Sequence, residues 1–514
     1  MYASPEYIEK YFDEHLSDKP FYLCEYVDSM STGLVYENWD LVEKYDGFFG
    51  AHIWEFTDHA VDIGGGRFCY GGDFGETPNS YVSCVDGLVH PDRKPRPGYY
   101  DMKKVYQPWV ASYENGSVTI TSRRKFISLE DLALVWKLEC DGNVVACGRE
   151  VLDIAPGESK TYALFDPAIA VGDGFLTLSY VNLYPSALIE VGFEQGFDQF
   201  KICKAHVKNE IPSGLVPAME EGERYVRIQV GGTVYSYDKA YGRVFSIVTD
   251  GREMLSSPIG LCIYRASSYN NQNPFYKTHL WFFAAFQKTF SVATSVLEDG
   301  AVKIDAQIGF GAPSAPTLIR GTATWLFAAD GSANFRFEGN WRDKVEFLPK
   351  IGLEFKMPEG FEHVQYYGHG PFEAYVNRRR SSKVGHYVST VTDQYEPYVM
   401  PQECSSHYGT LWASVADESG KGLLFAPYGE GSELCFKALH YTNDQIEEAA
   451  HSWELEPLKE TVVSLDYRYH SLTPNGRIAA KEPDYHFDEK VLSFGFKIKP
   501  VQMGNVDPFD EIRR

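Results

Sequence analysis

The feature that most limits the fold is a change of periodicity near residue 108. Downstream of it, "SVTITSRRKFISL", "LALVWKLECDG", "NVVACGREVLDI" and "KTYALF" alternate apolar with polar residues or run apolar over strand length, with Gly, Asn and Asp between them. A period of two lines one face of a strand and does not make a helix stripe. Asn115-Gly116 and Asp141-Gly142 supply consecutive residues that tolerate positive φ, as a two-residue hairpin turn demands. The spacing predicts an antiparallel β-sandwich ending near residue 205. Strands dominate again from about 224 to 503, in "RYVRIQVGGTVYSYD", "TLIRGTATWLFAADGSANFRFEGNW", "GLLFAPYG" and "VLSFGFKIKP". No helix beyond about three turns is expected there, so this reads as one large all-β unit of two stacked sheets. Between the two lies "KNEIPSGLVPAMEEGE" (208–223), polar with two prolines, which reads as a linker.

Upstream of the change the pattern differs. Residues 6–17 give an apolar helical face through Tyr7, Ile8, Tyr11 and Phe12, and residues 33–45 a second through Leu34, Val35, Trp39, Leu41 and Val42. Each precedes a buried strand, "KPFYLCEY" and "GFFGAHIWEFTD". Helix, strand, helix, strand predicts βα units and a parallel sheet. Only about two units fit, whereas a closed eight-unit barrel takes roughly 250 residues.

With 514 residues the chain is too long for one core. Its aromatic fraction of 15%, with 35 Tyr and 33 Phe, suits large β cores and sugar-binding surfaces. A net charge of −23 with no basic run argues against nucleic-acid binding. No apolar stretch is long enough to span a membrane, and the polar, acidic amino terminus lacks the character of a signal peptide. Nine scattered cysteines without a paired CxxC predict reduced thiols, a cytoplasmic location and no zinc site.

Glu25 stands where a barrel strand would end, the position at which barrel enzymes carry catalytic groups. A surface carboxylate at a strand end is the plainer reading of Glu25 taken alone. The next strand ends in "IWEFTDH", and the loop "YGGDFGETPNSYVSCVDGLV" (70–89) adds glycines, acids and aromatics at a comparable place. Trp54 is either a sugar-stacking platform or a core tryptophan. A carboxylate nucleophile in glycoside hydrolysis needs a second carboxylic acid about 5–5.5 Å away. Glu55, Asp58, Asp73 and Glu76 are candidates, and spacing does not choose among them.

"FYLCEYVDSM", "GFFGAHIWEFTDHA", "YGGDFGETPN", "DGLVHPDRKPRPGYYDMKKVYQPW", "YYGHGPFEAYVNRRRSSKVGHY" and "PYVMPQECSSHYGTLW" together resemble the second half of β-galactosidases of glycoside hydrolase family two. The resemblance runs in order over nearly the whole chain. It implies a mainly β multidomain protein: the last part of a (β/α)8 TIM barrel over 1–107, an immunoglobulin-like β-sandwich over 108–207, and a large β-supersandwich over 222–505. It implies Glu25 as the nucleophile and Tyr26, Trp54 and Asp86 at the sugar site. Asp86 and the backbone of Ser83 would hold a monovalent cation, Na⁺ or K⁺. The family's acid/base glutamate and its Mg²⁺ ligands would lie upstream of Met1.

There are departures. Relatives carry a histidine where Asp28 stands, and an ionised Asp accepts from a sugar hydroxyl but cannot donate. "RASSYNN" (265–271) alters a family motif, and a tryptophan lining the aglycone side is replaced near Val462. The expectation is thus a β-galactosidase fragment or subunit acting on a β-galactoside, inactive alone, with a separate front-half polypeptide as partner. Self-association through long strand edges is also expected. The alternative is an inactive carbohydrate-binding or assembly module, or a truncated product.

Overall fold

The computed structural model describes residues 2–26, 35–205, 215–268, 280–313, 315–342, 347–472 and 485–513. Helix α1 (Pro5–Asp13) starts on Ser4, whose hydroxyl accepts from the Tyr7 N–H, with Pro at the first helical position. It carries the whole predicted apolar face but stops short of residue 17, because the chain turns at His15, where φ is +50°. Strand β1 (Phe21–Leu23), helix α2 (Val35–Lys44) and strand β2 (Phe48–Ala51) follow. As the spacing predicts, β1 and β2 pair in parallel, with Leu23 opposite Ala51. Ile8, Leu23, Tyr26, Leu41, Phe48 and Val105 form their core, and Phe12 stacks on Tyr45 at 4.5 Å. Helix α3 (Pro97–Val105) closes the unit. Among the described residues β1 and β2 have no other strand beside them, so no barrel closes.

A four-stranded and a three-stranded sheet then pack as a sandwich, in the orders Glu194–Cys203, Gly174–Asn182, Leu132–Cys140, Asn143–Val151 and Trp109–Glu114, Ser117–Ser122, Ser159–Ala163. Both predicted hairpin turns form. Asn115 and Gly116 have φ of 46° and 78°, and Asp141 and Gly142 have 51° and 75°, the signs of a type I′ turn. Leu134, Leu138, Leu176 and Leu178 reach zero exposure in the core, each worth about 1.5–3 kcal/mol of burial.

The remaining unit has sheets of five, four and nine strands, all pairing antiparallel. One core runs through all three, taking in Ile228 and Tyr237, Leu353 and Val463, and Phe335 and Ile498. Its first strand, Ala218–Glu221, lies inside the segment read as a linker and pairs with Tyr225–Val230. Val462 is buried in the strand Thr461–Tyr469 and pairs with Lys356 and Leu439.

The first unit is fastened to the other two by polar and ring contacts that are buried or half-buried. Tyr36 donates to Asp101 at 2.8 Å, with Arg378 3.8 Å from the same carboxylate. Tyr100 stacks on Phe372 at 4.5 Å. His90 reaches Glu396 at 2.9 Å, and Lys104 reaches Asp198 at 2.6 Å.

Candidate active site

Parallel pairing places the carboxyl ends of β1 and β2 together. His52 N–H donates to the Leu23 carbonyl and Tyr26 N–H donates to that of His52, each at 3.0 Å. The ladder therefore continues past both strands, and Glu25 leaves it beside the segment that leads to Trp54. Glu25 is half-buried, and its carbonyl accepts from the Tyr2 N–H at 2.9 Å. Tyr26 is buried, and its hydroxyl meets that of Tyr106 at 3.2 Å. Burial raises the Tyr26 phenol far above its ordinary range, so it stays protonated. Asp28 lies outside the described residues.

Trp54 is 41% exposed, which excludes the core-tryptophan reading. From Glu55 to His59 the chain pairs with residues 84–89. Leu88 N–H donates to the Glu55 carbonyl at 2.8 Å, Val89 N–H to that of Phe56 at 3.0 Å, and His59 N–H to that of Cys84 at 2.6 Å. Asp86 is thereby held across from Glu55. Burial raises the Glu55 carboxyl, while His59 at 3.2 Å and a hydrogen bond to Asp86 pull it down, and burial prevails. The Glu55 and Asp86 carboxyls thus share a hydrogen bond in which Glu55 accepts, the sense in which the contact lowers its pKa. This contact is not legible in the sequence, because nothing in either segment marks the pairing of 55–59 with 84–89. Ser83 is exposed, on the short 3-10 helix Tyr81–Cys84.

The other acid candidates are committed elsewhere. Asp58 is buried against Arg96 at 2.6 Å and accepts from the Gly87 N–H at 2.7 Å. Asp73 pairs with His451 at 2.8 Å. Glu76 accepts from the backbone of Gly72 and Phe74, which holds its carboxyl below the usual range. Among the described residues no three His, Cys, Asp or Glu side chains converge as a metal site. No described helix is long and apolar enough to cross a membrane.

The β-galactosidase small-chain model matches residues 229–498, the family-two glycosyl hydrolase TIM-barrel model residues 1–110, and the β-galactosidase domain 4 model residues 118–203. Similar relatives include a β-galactosidase of Staphylococcus xylosus, 28% identical over 98% of this chain and 51% of its own length. Another, from Priestia megaterium, is 26% identical over 98% of this chain and 49% of its own. A third, from Actinobacillus pleuropneumoniae, is 27% identical over 97% and 49%. The chain thus spans about half the length of the curated relatives it matches. Among solved structures, the galactose 1-epimerase of Lactobacillus acidophilus NCFM covers 56% of this chain and 99% of its own at 9% identity, with a TM-score of 0.27, from which no argument follows.

Proposed function

The chain belongs to the β-galactosidase small-chain family, and on that premise we propose that it is the carboxy-terminal part of a retaining β-galactosidase. The observation that carries this reading is the parallel register of β1 and β2, which delivers Glu25 and the Trp54 segment to one edge. In this reading the Glu25 carboxylate attacks the anomeric carbon of a terminal β-D-galactose residue and displaces the aglycone oxygen. An acid from sequence beyond these 514 residues protonates that oxygen and then activates the water that releases the sugar, with net retention. The exposed Trp54 indole offers an apolar face to the pyranose ring. Buried Tyr26 supports the Glu25 turn through Tyr106, and an ionised Asp at position 28 could only accept from a sugar hydroxyl.

A buried carboxylate at Asp86 supports the reading that Na⁺ or K⁺ would be held there. The Asp86 carboxyl is buried beside Glu55, and the Glu55 Oε1 is buried without a hydrogen-bond partner. A monovalent cation held by Asp86 and the Ser83 carbonyl would let both carboxyls ionise in a dry setting. Mg²⁺, in this reading, belongs to the front half.

The barrel is completed by a front half, continuous with this chain or separate from it. The test is to express residues 1–514 alone and with the front half of a family relative, and to assay a chromogenic β-galactoside. The pair is expected to hydrolyse it and Glu25→Gln to cut the rate by about 10³-fold or more. Full activity of the chain alone, or of the Glu25→Gln pair, contradicts the reading.

A further inference from the structure

We infer that His451, which lies on the large β unit 378 residues from Asp73, is a positioning residue that clamps the loop carrying Asp86 while its imidazole is doubly protonated. The effect on the loop stands by itself, and only its kinetic consequence rests on the function proposed above.

The geometry demands both protons. His451 Nε2 lies 2.8 Å from Asp73 Oδ2, and its Nδ1 lies 2.8 Å from Glu454 Oε1. A neutral imidazole has one N–H, so it can donate to only one of these carboxylates and turns a lone pair on the other. Glu454 is tethered three residues away and also accepts from the backbone of Ala450 and His451, so it stays in place. Deprotonation therefore breaks one of the bonds that join the two units here, His451 to Asp73, and leaves Tyr70 to the Ala450 carbonyl and Trp453 to the Phe68 carbonyl. Trp453 stacks on the same ring at 4.8 Å, and Tyr70 lies at 5.0 Å. The titratable groups facing His451 are thus Asp73, Glu454 and Tyr70, with Cys69 and Glu76 behind Asp73.

The clamp reaches the site through backbone. Asp73 Oδ2 also accepts from the Tyr70 N–H at 2.7 Å, and the Tyr70 hydroxyl donates to the Ala450 carbonyl at 2.6 Å. Gly71 lies against Tyr81, where an added Cβ would sit 2.7 Å from the backbone nitrogen. Tyr70, Val82 and Val85 share a small core with Val399 and Met400. From there Cys84 fixes His59, and Asp86 follows two residues on. Fixing Asp73 therefore fixes residues 81–86 and the turn after Trp54.

The pH window follows from the charges. Burial lowers the His451 pKa, but its two carboxylates outweigh burial and raise it above the ordinary value. The stabilisation it provides is complete below the ordinary histidine pKa and is lost as pH rises through the raised one. Burial would raise Asp73 and Glu454, yet their bonds to His451 and to backbone hold both below the ordinary range. Their share is present above that range and lost as pH falls through the lowered values.

Amide hydrogen exchange on the whole chain, wild type against His451→Gln, reads the clamp directly. At pH 6 the variant is expected to exchange at least about tenfold faster in peptides covering 68–76 and 81–89. At pH 9.5 the ratio is expected to fall to within about twofold, with the strands of the large β unit unchanged throughout. A ratio constant between the two pH values, or one confined to 68–76, overturns the proposal. So does equal acceleration everywhere. In an active complemented enzyme His451→Gln should raise KM and leave kcat nearly unchanged. Failure to obtain any active pair would count against the proposed function and leave the exchange result standing.

Discussion

Arg96 donates to Asp58 across 2.6 Å with both side chains out of solvent, and the same guanidinium lies 4.6 Å over the ring of Tyr398. It also donates to the carbonyls of Val85 and Gly87. One side chain thus binds the turn after Trp54, the loop before Asp86 and the large β unit. Removing one partner of such a pair strands a charge in the interior. Arg96→Met is expected to cost about 3–5 kcal/mol. Calorimetric melting should show a smaller loss in the double variant Arg96→Met/Asp58→Leu, where no charge is stranded.

Gly87 is where this network leaves no room for a side chain. Its N–H donates to Asp58, and an added Cβ would overlap the backbone of Thr57 and Asp58. Backbone cannot step aside as a flexible side chain can, so Gly87→Ala should cost about 3 kcal/mol. Limited proteolysis is expected to show new cleavage between residues 60 and 86, while the β-sandwich persists as a fragment.

Acid stability of the large β unit should depend on Asp330. Burial would raise its carboxyl, but Lys497 at 3.1 Å and Lys499 at 3.5 Å outweigh it and hold the pKa below the ordinary value. A lowered carboxylate contributes stability above its unfolded pKa, near 4, and loses it as pH falls through the folded value. Denaturation of Asp330→Asn is therefore expected to vary less between about pH 4 and pH 2 than that of wild type.

Trp54 should matter for sugar binding and little for folding. It is exposed, so Trp54→Ala leaves the melting temperature within a few degrees of wild type. In a complemented enzyme, loss of the stacking face is expected to lower kcat/KM by about 10–100-fold. An unchanged kcat/KM would remove Trp54 from the site.

How much of this is legible in the sequence depends on how local the cause is. The Asn115-Gly116 and Asp141-Gly142 turns are set by two residues each, and both form as expected. The parallel pairing of β1 and β2 follows from helix–strand spacing, and it also forms. Helix α1 ends at Asp13, four residues before the predicted end at 17, because the chain turns at His15. Ala218–Glu221 reads as linker because its segment is rich in acids and carries prolines, yet hydrogen bonding to a neighbouring strand overrides that composition. The contacts that organise the site are illegible for one reason. Glu55 with Asp86, Arg96 with Tyr398 and Asp73 with His451 join segments far apart in sequence, and no local pattern encodes such pairings. The assignment of Glu25 comes from resemblance to a family, since a carboxylate at a strand end is by itself ambiguous.

Covalent trapping distinguishes Glu25 as the nucleophile of a site completed by a front half from every other carboxylate. The complemented pair is incubated with a 2-deoxy-2-fluoro-β-galactoside carrying an activated leaving group, so that the glycosyl-enzyme forms faster than it is released, and digested for peptide mass mapping. One 2-deoxy-2-fluorogalactosyl adduct is expected, on Glu25, formed only when the front half is present. An adduct on another carboxylate of an active pair, or turnover that persists in Glu25→Gln, would contradict it.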